Sequence, residues 1–265
     1  MIFEKDSLRL MITELGVATL TLTQGSRGNP IDGQFCRDFR DAMTELATLE
    51  GIRVLLIKAE GKNYSVGGDV KRFAQEVENL PKLILEWTAD LHMGLSRFWG
   101  LPFPVVVQVH GMAMGGSVAV LAGADLVVAG EAAKFGSAFT KLGFSCDSGT
   151  SITLSMRMGL ARARRFVMLG EVLAADAALS SGLVDEVVSD SRLEERVEEL
   201  VSELASGPTR ALGEVRRLFL QAASVELERQ LEDEAQTLAC IGSSEDAKSA
   251  IKSFAAHTPV SFSGR

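Results

Sequence analysis

Two short β-like runs, Leu8–Ile12 and Val17–Thr23, open the chain, separated by the turn-prone Glu14-Leu15-Gly16. The period then changes. Over Ile31–Leu49 the apolar residues Phe35, Phe39, Ala42, Met43, Leu46 and Leu49 recur at helical spacing. Arg53–Lys58, Val105–Val109 and Leu126–Ala129 are continuous β-branched and leucine-rich runs, as expected of strands buried on both faces. The loop Glu60–Gly68 leads into a predicted helix from Asp69, and Leu80–Trp99 reads as another, ended by Pro102 and Pro104. Helical patterns dominate Ser148–Ser181, and Val184–Val188 is a short strand. Beyond Ser206-Gly207-Pro208 everything reads as helix. Strands alternating with helices, then helices alone, predict an α/β core over residues 1–206 and a helical region over 207–265. The sequence shows no internal repeat of fixed period.

The composition adds bounds. Of 265 residues, 46% are hydrophobic and 23% charged, enough to bury a sizeable core. A net charge of −8 argues against a general nucleic-acid partner. The longest apolar stretch, Met112–Ala129, contains Asp125 and several glycines, which argues against a membrane span. The opening ten residues mix both charges, unlike a secretory signal. Cys36, Cys146 and Cys240 suggest neither a disulfide framework nor a zinc site, so a cytoplasmic protein is expected. His92, His110 and His257 show no metal-ligand spacing, and no metal is expected.

Two loops bring glycine to the junction of a buried strand and a helix: Tyr64-Ser65-Val66-Gly67-Gly68-Asp69-Val70, and Gly111-Met112-Ala113-Met114-Gly115-Gly116-Ser117. Glycine there admits close approach of backbone to a ligand, and two N–H donors converging on one oxygen form an oxyanion hole. Either loop alone reads better as a tight turn; the two together, each following a buried strand, favour the oxyanion reading.

The second loop resembles the N-G-x-A-x-G-G loop of the crotonase (enoyl-CoA hydratase/isomerase) family, and the first its F-S-A-G-x-D-[LIV] loop. Asn29-Pro30-Ile31-Asp32 resembles a family segment that lies along the bound coenzyme. Ala161-Arg162-Ala163, Gly182-Leu183-Val184, Gly207-Pro208-Thr209 and Pro259…Phe262 follow in family order, so the resemblance covers essentially the whole chain. It implies a spiral of ββα units, C-terminal helices that pack a homotrimer or dimer of trimers, and an acyl-CoA thioester as substrate, with no cofactor besides that coenzyme. It also implies that the N–H groups of Gly68 and Gly116 hold the thioester oxygen. Asn29, Ile31, Val66, Gly67, Asp69, Val70, Met114, Phe139 and Leu142 are then expected to line the ligand, with Leu91, Leu95 and Phe144 in an apolar pocket. Arg27 and Lys62 are candidate phosphate partners, although each also reads as solvated surface charge. Phe254 stands where the family has an F-x-E-K-R segment that reaches a neighbour's ligand; here the basic residues are absent, and Lys252 is the nearest cation.

The resemblance leaves the reaction open. Hydratases keep two glutamates where this chain has Ala119 and Phe139, and hydration needs positioned carboxylates. The string from Ala138 to Gly149 resembles epoxyphenylacetyl-CoA/enoyl-CoA isomerases, which rely on the aspartate aligned with Asp147; Cys146 replaces their proline. A lone carboxylate beside an oxyanion-stabilised enolate suffices to move a proton between carbons. Taken by itself, Asp147 before Ser-Gly reads as a helix N-cap. His92 shares a helical stripe with Leu85, Thr88, Leu95 and Trp99, so it is expected to point inward as a hydrogen-bonded core residue. Its position also resembles that of the water-activating histidine of 4-chlorobenzoyl-CoA dehalogenases, in which Asp147 would be the nucleophile and Phe139 an aryl contact. The readings are therefore an acyl-CoA isomerase, a hydrolytic aryl-CoA enzyme, or a non-catalytic acyl-CoA-binding protein. A serine-protease reading of Ser117 fails for want of a histidine between His110 and His257.

Overall fold

The structure is a computed structural model that describes residues 3–222, 227–256 and 258–264; the side chains of residues 227, 228, 254 and 255 lie outside the description. Strands are numbered in chain order: β1 Phe3–Glu4, β2 Leu8–Ile12, β3 Val17–Leu22, β4 Pro30–Ile31, β5 Val54–Ala59, β6 Gly67–Gly68, β7 Val105–Val109, β8 Met112–Met114, β9 Leu126–Gly130, β10 Lys134–Gly136, β11 Val172–Ala174 and β12 Glu186–Val188. The helices are α1 Gly33–Thr48, α2 Val70–Gln75, α3 Leu80–Trp99, α4 Gly116–Ala122, α5 Thr150–Met158, α6 Leu160–Met168, α7 Ala175–Ser180, α8 Leu193–Ser206, α9 Thr209–Ala222, α10 Leu227–Gly242 and α11 Glu245–Ala255.

The large sheet runs β1-β2-β3-β5-β7-β9-β12, antiparallel through β3 and parallel from there on. Its central strands are covered twice, as their β-branched and leucine-rich runs predict. Leu55, Ile57, Val105, Val107 and Val127 point into the main core with α1, α3 and α4, while Val54, Leu56, Val106 and Val128 meet Leu193, Val197, Leu200 and Val201 of α8. After β5, β7 and β9 the chain makes the same move each time. A short strand (β6, β8, β10) leaves the large sheet for a smaller one, and a helix returns. This is the ββα spiral that the family resemblance implied. The repeat is structural, with insertions between units that leave no fixed sequence period.

Sequence expectations fail mainly at the short strands. Ile31 leaves the helix expected for it and pairs with Gly68 in a two-stranded sheet, because Asp32 caps α1 by accepting from the N–H groups of Gln34 and Phe35. Helix α3 matches its expected span, but its buried side is Leu91, Gly94, Leu95 and Phe98, one residue off the stripe drawn through His92. Leu85 on that stripe is 71% exposed.

The C-terminal helices dock through charge. Arg216 on α9 is buried, its Nη1 donating to Asp125 Oδ1 at 2.7 Å and its Nη2 to the carbonyl of Phe98 at 3.0 Å. The other oxygen of Asp125 accepts from Val105 N–H at 2.7 Å, so one ion pair ties α9 to the edge of the central strands. Breaking a buried pair leaves an uncompensated charge. Asp125 keeps 30% of its side chain in solvent and the Val105 donor, so Arg216→Met should lose about 1–3 kcal/mol of stability, read as a lower urea-denaturation midpoint, with Arg216→Lys falling between.

Candidate active site

The two glycine loops meet through their backbones. Ser65 N–H donates to Met112 O at 2.9 Å, Met114 N–H donates to Ser65 O at 3.0 Å, and Ser65 bridges Ala113 in parallel register. Such pairing is available because β5 and β7 are parallel neighbours, so both loops leave the same edge of the sheet. Gly67 has φ +80, and a Cβ there would lie 2.6 Å from the carbonyl oxygen of Met114. Only glycine brings the loops this close.

The pairing leaves two N–H groups over. Asp69 N–H is committed to Ile31 O, and successive amides of an extended segment point to opposite sides, so Gly68 N–H faces away from β4. Gly116 is the first residue of α4, where an N–H has no intrahelical acceptor. Both glycines line a cavity of about 400 Å³.

Asp147 is the one carboxylate among the described residues that line this cavity. It does not cap α5. The helix begins after Gly149, left-handed at φ +77 and packed so closely on Trp99 that a Cβ would meet the ring at 2.5 Å. The carbonyl of Asp147, not its carboxylate, accepts from Thr150 N–H at 3.1 Å. Ser148, next to it, is held at φ 59, and Ala138 at φ 57. Two non-glycine residues in the left-handed region bracket the segment that presents Asp147, a strain of about 1–2 kcal/mol each. The freed carboxylate meets His92, whose Nε2 lies 2.8 Å from Asp147 Oδ1. With the carboxylate ionised, Nε2 carries the proton and donates. His92 is thus not the core residue its stripe suggested: its side chain is 53% exposed and lines the cavity.

Other expected residues divide. Ile31, Val66, Val70, Leu91, Phe139, Leu142 and Phe144 line the cavity. Asn29 does not. It is buried, with its amide donating to the carbonyls of Glu60 at 2.9 Å and Asn63 at 3.0 Å, so it braces the first loop from behind. Leu95 belongs to the core, Met114 packs over Gly136, and Asp69 caps α2 by accepting from Arg72 N–H at 3.1 Å. Arg27 is outside the cavity wall and 47% exposed, and it is paired with both Asp32 and Asp69. Lys62 is exposed and outside the cavity wall, and the Phe254 side chain and all of His257 are outside the described residues.

The sequence reading missed Phe73, Ile84, Trp87 and Thr88. Ile84, Trp87, Thr88, Leu91 and His92 recur at three and four residues, a face of α3 that could have been drawn instead. Phe73 packs against Trp87 at 5.3 Å with the rings tilted by 36° and meets Phe144 edge-on at 5.9 Å, closing the apolar end. Cys36 also lines the cavity. Burial, with Asp32, Asp90 and Asp147 nearby, pushes its thiol far above the ordinary range, so it stays protonated.

Gly67→Ala should destabilise the protein by about 1–2 kcal/mol from the left-handed backbone alone, with the clash against Met114 added. Urea denaturation measures the loss, and it should exceed that of an alanine at the unhindered Gly242.

Residues 13–265 match the family described as Enoyl-CoA hydratase/isomerase. The chain is 30% identical to the 1,2-epoxyphenylacetyl-CoA isomerase of Escherichia coli K12, over 95% of this chain and 97% of that one. It is 29% identical to 4-chlorobenzoyl coenzyme A dehalogenase-1 of an Arthrobacter species, over 84% and 81%. A crystal structure of enoyl-CoA hydratase from Mycobacterium smegmatis superposes with a TM-score of 0.88 at 28% identity, covering 97% of this chain and 98% of that one.

Proposed function

The chain belongs to the enoyl-CoA hydratase/isomerase family, and on that premise we propose that it is an acyl-CoA isomerase with Asp147 as its single acid/base. Gly68 and Gly116 donate to the thioester oxygen. That oxygen takes up the electrons released when Asp147 removes a proton from the acyl chain, and the same carboxyl returns the proton to another carbon. A double bond moves, or an epoxide opens and rearranges, with no atom gained or lost. The observation that carries this reading is the wall itself: one carboxylate among its described residues, with Ala119 and Phe139 where hydration would require two more. His92 holds the carboxylate in place through its Nε2–H.

That same contact favours a second reading. Once a nucleophilic Asp147 is esterified it no longer needs the Nε2–H, and the His92 tautomer with Nε2 unprotonated would be the base that activates the water releasing an aryl-enzyme ester. The isomerase reading leads because it needs only the carboxylate and the two N–H groups.

A panel of enoyl-, epoxyacyl- and haloaryl-CoA thioesters decides between them. Asp147→Asn should lower isomerisation by about 10²–10⁴-fold, with Asp147→Ala similar and His92→Ala much milder. Halide or hydroxyaryl-CoA release that needs both residues would replace the isomerase with the hydrolytic enzyme. Binding without turnover of any thioester would leave an acyl-CoA-binding protein.

The reading extends to assembly as a homotrimer or a dimer of trimers. Exposed Met156, Val215 and Phe219 border one groove beside α9, an apolar surface of the kind a second copy would cover. Sedimentation should give a trimer or hexamer, and Phe219→Asp should shift it toward monomer; an unshifted monomeric wild type would refute the assembly.

A further inference from the structure

Arg27 stands outside the cavity wall, yet it touches both segments that build one side of it. Its Nη2 donates to Asp69 Oδ2 at 2.8 Å; its Nη1 donates to Asp32 Oδ2 at 2.9 Å and to Gln24 Oε1 at 2.8 Å. Each carboxylate has a second task. Asp32 Oδ1 accepts from the N–H groups of Gln34 and Phe35 at the start of α1, and Asp69 Oδ1 accepts from Arg72 N–H at the start of α2. One guanidinium therefore bridges the caps of two helices.

Those caps directly follow the residues that shape the site. Asp69 follows Gly68, and Asp32 follows Ile31. Asp69 N–H donates to Ile31 O at 3.3 Å, and Ile31 Cδ1 lies 3.3 Å from the point where a Cβ on Gly116 would stand. The chain of contacts runs from Arg27 through Asp69 to Gly68, and through Asp32 and Ile31 to Gly116. The side chains of Asp32 and Asp69 are only 12% and 16% exposed, so without a cation between them their charges would repel with little solvent to screen them.

We propose that Arg27 is a positioning residue of the oxyanion hole: by clamping the cap carboxylates Asp32 and Asp69 together, it sets Gly68 N–H where it and Gly116 N–H reach one thioester oxygen. It acts through Asp69 and is not a phosphate ligand. The proposal rests on the reading that these two N–H groups hold that oxygen. Its chemistry explains the choice of residue. Arginine presents separated donors in a rigid fork and spans two carboxylates, whereas lysine is a point charge that serves a phosphate well but cannot hold this geometry.

The full-length protein and its Arg27→Lys, Arg27→Gln and Asp69→Asn variants test this, each checked for native near-UV circular dichroism. The probes are free coenzyme A, titrated by calorimetry, and a ¹³C-carbonyl acyl-CoA, whose bound thioester stretch reports polarisation by the two donors. In all three variants the downshift of that stretch should shrink and kcat should fall by about 10–100-fold, short of losing a donor outright, while affinity for free coenzyme A stays essentially unchanged. If Arg27→Gln does not fold, Arg27→Lys and Asp69→Asn decide. An Arg27→Lys variant with full downshift and wild-type kcat overturns the clamp, as does weakened coenzyme A binding in Arg27→Gln with the downshift intact. A wild type that binds the thioester with no downshift removes the oxyanion reading itself, and the clamp with it.

Discussion

Ser65 has no exposed surface, and its polar groups hold the site together. Its N–H and carbonyl pair with Met112 and Met114 of the second glycine loop, and its hydroxyl donates to Asn29 O at 2.7 Å while accepting from Gly67 N–H at 3.1 Å. A buried polar group left without a partner is costly, so the first loop has little freedom to drift from the second. Asn29 reinforces this from behind by bracing the carbonyls of Glu60 and Asn63. The N–H groups of Gly68 and Gly116 are left free of this pairing on the side that faces the cavity.

The large sheet makes that pairing possible. β5 and β7 are adjacent and parallel, buried by the main core on one face and by α8 on the other, so their ends move together. Function is then written on the irregular segments that this rigid layer carries. The stretch from Ala138 to Gly149 is the clearest case. Its left-handed backbone at Ala138 and Ser148 turns Asp147 away from the helix start and toward His92. A side chain that local chemistry would spend on capping is left available for a proton.

The legible part of the sequence was the part governed by local physics. The valine-rich run Val105–Val109, interrupted only by Gln108, reads as a strand buried on both faces, and Leu80–Trp99 bounded by Pro102 reads as a long helix. The paired glycine loops, Ala119 and Phe139 could be placed in the crotonase-type spiral because their order along the chain is itself the signal. Short strands such as Met112–Met114 were illegible: three residues carry no period, and pairing with Lys134–Gly136 is what makes them strands.

What only the tertiary structure decided is which distant charges meet. Asp147 faces His92 across 55 positions, and Arg27 turns to Asp69 across 42. Neither pairing leaves a trace in spacing or periodicity, because each depends on which way a side chain leaves its helix or loop once the layers have packed. A one-residue error in the stripe of α3 was enough to read His92 as core. The sequence by itself determined the scaffold, the glycine loops and the presence of an acid, Asp147, ahead of α5. The packing of α3 against the segment before α5 decided what that acid touches.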